Sequence, residues 1–151
     1  QFLAQLIEVF VSLAQAIIRD GEGSHKFVSV IVASAVDTQE ALDVAYTIAE
    51  SPLVKTALTA SDANWGRILA AIGRAGLNNL DLDKVQISLN SVLIVEQGAR
   101  APSYKEELGQ QAMQSEDIEI LVQLNRGDAK ETVWTTDLSY DYVKINAEYR
   151  T

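Results

Sequence analysis

Apolar positions along this chain change period several times, and each change predicts an element. Phe2, Leu3, Leu6, Ile7, Phe10, Leu13, Ala14, Ile17 and Ile18 recur at spacings of three and four. They form one stripe of an amphipathic helix, with Gln5, Glu8, Ser12 and Gln15 opposite. Gly21 is placed to end it, because glycine accepts the left-handed conformation found just past helices. FVSVIVASA, residues 27–35, is β-branched and apolar and predicts a largely buried strand. Thr38 then predicts an N-cap, with Ala41, Val44, Ala45 and Ile48 on the inner face of a helix ending near Ser51-Pro52.

Leu53 to Thr59 reads as a short strand, and Asp62 or Asn64 as the cap of a helix through Ile68, Leu69, Ala71 and Ile72 that Gly76 stops. VQISL and VLIVE alternate around Asn90-Ser91 and predict a hairpin. A polar helix follows near residues 104–113. IEILVQL (118–124) and residues 130–136 flank Arg126-Gly127-Asp128 and predict a second hairpin. The tail fits both periods; Ser139 as N-cap, with Asp141 in the first turn, favours helix. A βαβα order followed by strand pairs around one helix argues an α+β fold.

The 151 residues fit one domain, and 48% hydrophobic with 22% charged residues is ordinary for a globular chain. A net charge of −9 argues against a nucleic-acid partner and against anionic membrane surfaces. The chain has no cysteine, which excludes disulfides and thiolate metal sites, and its single histidine excludes a cluster of His ligands. No apolar run approaches a membrane span in this reading, and no signal peptide is apparent. The first residue is Gln, so the start is expected to be processed or the chain a piece of something longer.

Three stretches carry candidate chemistry. DGEGSHK at 20–26 gathers carboxylates, glycines, His25 and Lys26 between helix and strand. A triad of Asp20, Ser24 and His25 is disfavoured, since neighbouring side chains rarely converge and triads are defined by spatial geometry. The stretch also lacks the spacing of a phosphate loop or an EF-hand, and its bland reading is a glycine turn with solvated charges. In the second stretch, residues 61–76, Gly66 permits close backbone approach and Arg67 suits a carboxylate; the bland reading is a capped helix with Trp65 in the core. In the third, Tyr140, Tyr142, Lys144, Asn146, Tyr149 and Arg150 crowd the chain end. They suit either a pocket for a polar small molecule or a docked terminal helix.

DGEG at 20–23 with Lys26, SPLVKTA at 51–57, DANWGRI at 62–68 and DYVKINAEYRT at 141–151 resemble, in order, four signatures of ornithine acetyltransferase, the bifunctional glutamate N-acetyltransferase of arginine biosynthesis. The resemblance covers nearly the whole chain. It implies an acetyl shuttle from N-acetylornithine to glutamate, with acetyl-CoA a further donor in some members. The precursor in that family cuts itself into α and β chains, and the threonine exposed at the start of β carries the acetyl group as an ester. Oxyanion donors come from the α chain.

The family's β chain opens on its threonine in an Ala-Thr-Met-Leu context followed by a DGDTSTND-like segment, and neither is present here. This chain therefore resembles the C-terminal part of β: no catalytic residue is expected in it, and it is incomplete alone. The resemblance carries three substrate contacts onto it, Glu22, Asn146 and Thr151. It implies no metal and no organic cofactor. Residues 1–26 are expected to belong with the nucleophile-bearing domain and 27–151 to form a smaller C-terminal α+β domain.

The expected partners are the rest of β and the α chain, in an α2β2 assembly, and the expected small molecules are N-acetylornithine and glutamate. The compartment is the cytoplasm, or the mitochondrial matrix for fungal members. Ser24 and His25 stand where the family usually has Ala-Thr, Ala60 where it has glycine, and Arg74-Ala75-Gly76 where it has Tyr-Ser-Gly. His25, beside Glu22, is expected to affect the pH behaviour of that carboxylate. Two rivals are a related self-cleaving aminopeptidase, which DANWGRI and KINAEYRT argue against, and a non-enzymatic amino-acid-binding or interaction module.

Overall fold

The computed structural model describes residues 1–149; Arg150 and Thr151 lie outside the described residues. The chain forms helix α1 (Phe2–Arg19), strand β1 (Phe27–Ala35), and helices α2 (Thr38–Ala49), α3 (Pro52–Thr59) and α4 (Trp65–Gly73). Strands β2 (Gln86–Leu89), β3 (Val92–Glu96) and β4 (Ala99–Arg100) follow, then α5 (Glu106–Ala112), β5 (Asp117–Gln123), β6 (Ala129–Thr136) and α6 (Tyr140–Glu148). The α+β expectation holds. The strands make one mixed sheet in the order β4-β3-β2-β5-β1-β6, in which only β1 and β5 run parallel.

The second predicted hairpin is overturned. Strands β5 and β6 do not pair, because β1 lies between them, parallel to β5 and antiparallel to β6. A turn that bridges neighbours and one that steps over a strand look alike in sequence here. Stepping over needs about 9.6 Å across the sheet, which the 124–128 link covers at about 3.3 Å per residue. The deciding feature is β1 itself, apolar on most positions, which needs a partner along both edges. The link is pinned over the end of β1 by Leu124 N–H to Ala33 O and by the Arg126 and Gly127 amides to Ser34 O. Arg126 also donates to the carbonyls of Asn78 and Asn79 and pairs with Glu40.

Helix α3 replaces the strand expected at 53–59. Ser51 accepts from Val54 N–H as N-cap and Pro52 occupies the first helical position, where its missing N–H costs nothing. Its buried residues, Val54, Ala57 and Leu58, sit at helical spacing. One cap moves by a residue, since Asp37, not Thr38, caps α2, and of the two caps offered for α4 it is Asn64 that accepts from Arg67 N–H. Helix α4 already ends at Gly73, before Gly76.

Helix α2 lies over β1 and β6, and α2 to α4 cover one sheet face. Val28, Val30, Val32, Ile48, Ile72, Ile87, Ile120 and Val122 meet there in the core, each fully buried large side chain contributing about 1.5–3 kcal/mol by leaving water. On the other face Ile31, Leu121 and Trp134 stay half-buried.

Helix α1 corrects a further expectation. Its 18 residues have a mean hydropathy of 1.6 and are, by length and composition alone, enough to cross a membrane. None of its residues is buried; Phe2, Ile7, Phe10 and Ile17 are 52–78% exposed. The stripe of Gln5, Glu8, Ser12 and Gln15 nevertheless makes it two-sided, as at a protein surface.

Two substitutions check this architecture in the full-length protein. A Cβ at Gly127 would lie 2.4 Å from Ala35 O and 2.9 Å from Val36 Cα. Gly127→Ala is therefore expected to lower stability by about 1–3 kcal/mol, read as a lower urea midpoint at an unchanged slope. Asn90 and Ser91 both have positive φ, 43° and 69°, as a hairpin turn of this length requires. Ser91→Gly relieves that conformation and should raise the same midpoint, a gain in stability of about 0.5–1 kcal/mol.

Candidate functional site

The register of β1 with β6 pairs Phe27 with Thr136, so the segment entering β1 and the segment leaving β6 lie side by side. The first is the DGEGSHK loop. The second leads through Asp137, Leu138 and Ser139 into α6.

Gly23 is where they touch. It adopts φ +67°, and a Cβ there would lie 2.4 Å from Tyr142 N and 2.9 Å from Asp141 C. Only glycine lets the loop pass so close to the first turn of α6. Ser139 joins the two directly: its hydroxyl donates to Gly23 O at 2.5 Å and accepts from Tyr142 N–H as the N-cap, as its sequence position predicted. Two turns along α6, the Asn146 amide donates to Tyr142 O at 2.9 Å and reaches Glu22 Oε2 at 3.4 Å.

Glu22 and Asn146, 124 residues apart, therefore meet. Both are exposed, which leaves the carboxylate open on its outer side. Thr151, the third expected contact, lies outside the described residues, as does Arg150.

Asp137 was missed by sequence reasoning. Its side chain is fully buried, Oδ1 accepting from the backbone N–H of His25 at 2.8 Å and of Lys26 at 3.0 Å. Its Oδ2 accepts from the Thr59 hydroxyl at 3.0 Å. The only available signal was an acid just ahead of a helix cap, which reads equally well as a surface turn.

The triad reading fails on geometry. The Ser24 hydroxyl turns to Lys26 O, while the His25 ring addresses Asp137 (Nδ1, 3.6 Å) and Asp141 (Nε2, 3.3 Å). Lys26 is structural: its buried ammonium donates to Met113 O and Ser115 O at 2.8 and 3.0 Å, placing a cation at the C-terminal end of α5.

The DANWGRI stretch is structural too. Among the described residues Arg67 meets no carboxylate; its guanidinium donates to Leu53 O and Thr56 Oγ1, tying α4 to α3. Gly66 has room for a Cβ, so the expected close approach is absent, and Trp65 packs half-buried on the core. From SPLVKTA, Lys55 donates to Thr135 Oγ1, and burial pulls its ammonium below the usual lysine range, against the pull of Asp137 and Glu50.

In the tail, Tyr140 and Tyr142 on α6 and Tyr149 just past its end are exposed, and Tyr140 borders a cavity of about 380 Å³ shared with Thr56, Thr59 and Val143. At the other end of the loop, Arg19 forks onto Asp117 at 2.5 and 3.0 Å and covers the Phe27 ring at 3.9 Å. The hydrogen bonds from Arg19 hold the Asp117 carboxyl below its ordinary range. Among the described residues no group of three or more His, Cys, Asp or Glu is arranged to hold a metal ion.

Known proteins resemble this chain closely in sequence and in fold. The profile of the ArgJ family matches residues 1–151. The arginine biosynthesis bifunctional protein ArgJ of Pseudomonas fluorescens is 59% identical over 146 residues, and that of Pseudomonas syringae pv. tomato 57% over 146. Each alignment covers 97% of this chain but only 36% of the relative, so the chain spans about a third of the length of these relatives. A crystal structure of the arginine biosynthesis bifunctional protein ArgJ from Bacillus halodurans is similar with a TM-score of 0.92 at 38% identity, over 98% of this chain and 69% of that one. Matched along its whole length in sequence and nearly all of it in fold, the chain belongs to the ArgJ family.

Proposed function

We propose that this chain is the C-terminal part of the β chain of an ornithine acetyltransferase and supplies one wall of its substrate site. The observation that carries the reading is the meeting of Glu22 with Asn146 across a glycine-only contact, in a chain of the ArgJ family. The reaction is transfer of an acetyl group from N-acetylornithine to glutamate, with acetyl-CoA as a further possible donor. The acetyl group rests on a threonine that lies outside this chain, so no residue here is the nucleophile.

The role of the chain is recognition. The substrates are zwitterions, and Glu22 pairs with an ammonium group. Asn146 offers a donor and an acceptor to the substrate's polar ends, and its contact with Glu22 holds the carboxylate in one orientation. The Thr151 hydroxyl is the third contact. No metal or organic cofactor enters this scheme.

In the proposed assembly α1 and the DGEG loop belong with the nucleophile-bearing domain, and residues from 27 onward form the smaller one. The exposed face of Phe2, Ile7, Phe10 and Ile17 packs against the remainder of β and the α chain, in an α2β2 complex. Amphipathicity of this kind suits a protein neighbour better than lipid, because the polar stripe has no place in hydrocarbon. The compartment implied is the bacterial cytoplasm.

The test is native mass spectrometry of the full-length protein, with and without N-acetylornithine. A partner chain that starts on threonine and gains one acetyl group supports the shuttle; complexes that gain none overturn it. Glu22→Gln removes a charged hydrogen bond worth about 1.5–3 kcal/mol. It should raise KM for N-acetylornithine by about ten- to a hundredfold, leaving the mass of the assembly unchanged. A KM within twofold of the parent would remove Glu22 from the substrate site.

A further inference from the structure

Asp137 and Ser139 spend their polar atoms on the loop that carries Glu22, and this burial is costly unless it achieves something. A fully buried carboxylate loses its hydration and survives only if its oxygens are satisfied. Here one oxygen takes the N–H groups of two consecutive residues, His25 and Lys26, just where the loop turns into β1. Lys26 is not in the β1–β6 ladder, whose register begins at Phe27 with Thr136, so those amides have no strand partner of their own. The Thr59 hydroxyl lies within hydrogen-bond reach of both the other oxygen, at 3.0 Å, and Leu138 O, at 2.8 Å, so its single proton is shared between these acceptors and α3 backs the carboxylate.

Ser139, two residues on, holds Gly23 O and the first turn of α6 together. Thus one three-residue span fixes the loop at Gly23, His25 and Lys26, on the far side of Glu22 from α1, and starts the helix that bears Asn146. The titratable side chains facing this joint are the His25 ring, Asp141 on α6 and Lys55 on α3.

Resting on the substrate reading above, we infer that Asp137 and Ser139 are positioning residues that set the gap between Glu22 and Asn146 and thereby the affinity for the substrate ammonium. Neither side chain touches substrate. A displacement of about 1 Å at a recognition group costs up to a hundredfold, and the Glu22–Asn146 contact, at 3.4 Å, has little slack.

The experiment uses the full-length enzyme and a double-mutant cycle. Asp137→Ala and Ser139→Ala are each expected to raise KM for N-acetylornithine about tenfold with kcat within about twofold. Asp137→Asn keeps an oxygen for both amides and a group for Thr59, and should restore most of the loss. Built into Glu22→Gln, either alanine change should add almost nothing, because it acts through the carboxylate already removed. A general structural defect would instead lower kcat, resist rescue by Asn and add to Glu22→Gln.

If Asp137→Ala fails to assemble, Ser139→Ala and Asp137→Asn decide by the same criteria. An assembled Ser139→Ala with unchanged KM, or additive effects in the cycle, overturns the inference. A Glu22→Gln enzyme with unchanged KM instead overturns the substrate reading beneath it. The two failures are therefore separable.

Discussion

The pairing of β1 with β6 decides where the chemistry of this chain can be. With Phe27 opposite Thr136, the residues just before β1 and just after β6 must leave the sheet side by side at the same end. One of those segments holds Glu22 and the other leads to Asn146. A slip of the register by two residues would keep every side chain on its face of the sheet, yet it would move the two segments apart by roughly 6–7 Å. The core restrains this, since Val28, Val30 and Val32 face α2 while β5 holds the other edge. The joint of Gly23, Asp137 and Ser139 restrains it again from outside the sheet.

Much of this was legible in the sequence, and the failures have physical reasons. Periodicity found α1, β1, α2, α4 and the β2–β3 hairpin, because each buries or exposes one face at a regular interval, and the Ser139 cap decided α6 where both periods fitted. It failed for LVKTALT, where seven residues fit either period and the decisive signal was the cap, Ser51-Pro52, read only as an end rather than also a beginning. It failed for β5 and β6 because pairing is not a property of the two strands alone. A third strand, apolar on most positions, competes for both, and its demand is visible only when the whole sheet is considered.

The site was legible in a different way. Its motifs are dense in polar residues, and density suggested chemistry at each of them. Lys26, Arg67 and Lys55 instead direct their charges to carbonyls and hydroxyls that hold α5, α3 and β6. Glu22 and Asn146 differ in that both residues stay exposed while they reach each other. Asp137 shows the converse, a residue of consequence with no motif to announce it, since the burial of a carboxylate depends on where three distant donors fall.

Exposure also limits what this chain can do by itself. A carboxylate in water pairs with an ammonium only weakly, about 0–1 kcal/mol, whereas the same pair gains strength as the effective dielectric falls. On the proposed reading, the open side of Glu22 and the uncovered apolar face of α1 are two aspects of one requirement. In the proposed assembly, the layer that covers Phe2, Ile7, Phe10 and Ile17 also brings protein close to the end of α1, three residues from Glu22. Covering that helix would exclude water from the clamp, so recognition and assembly would strengthen together. The glycine contact, the buried Asp137 and the Ser139 cap keep the clamp in shape until then, so that closing the site need not reorganise it.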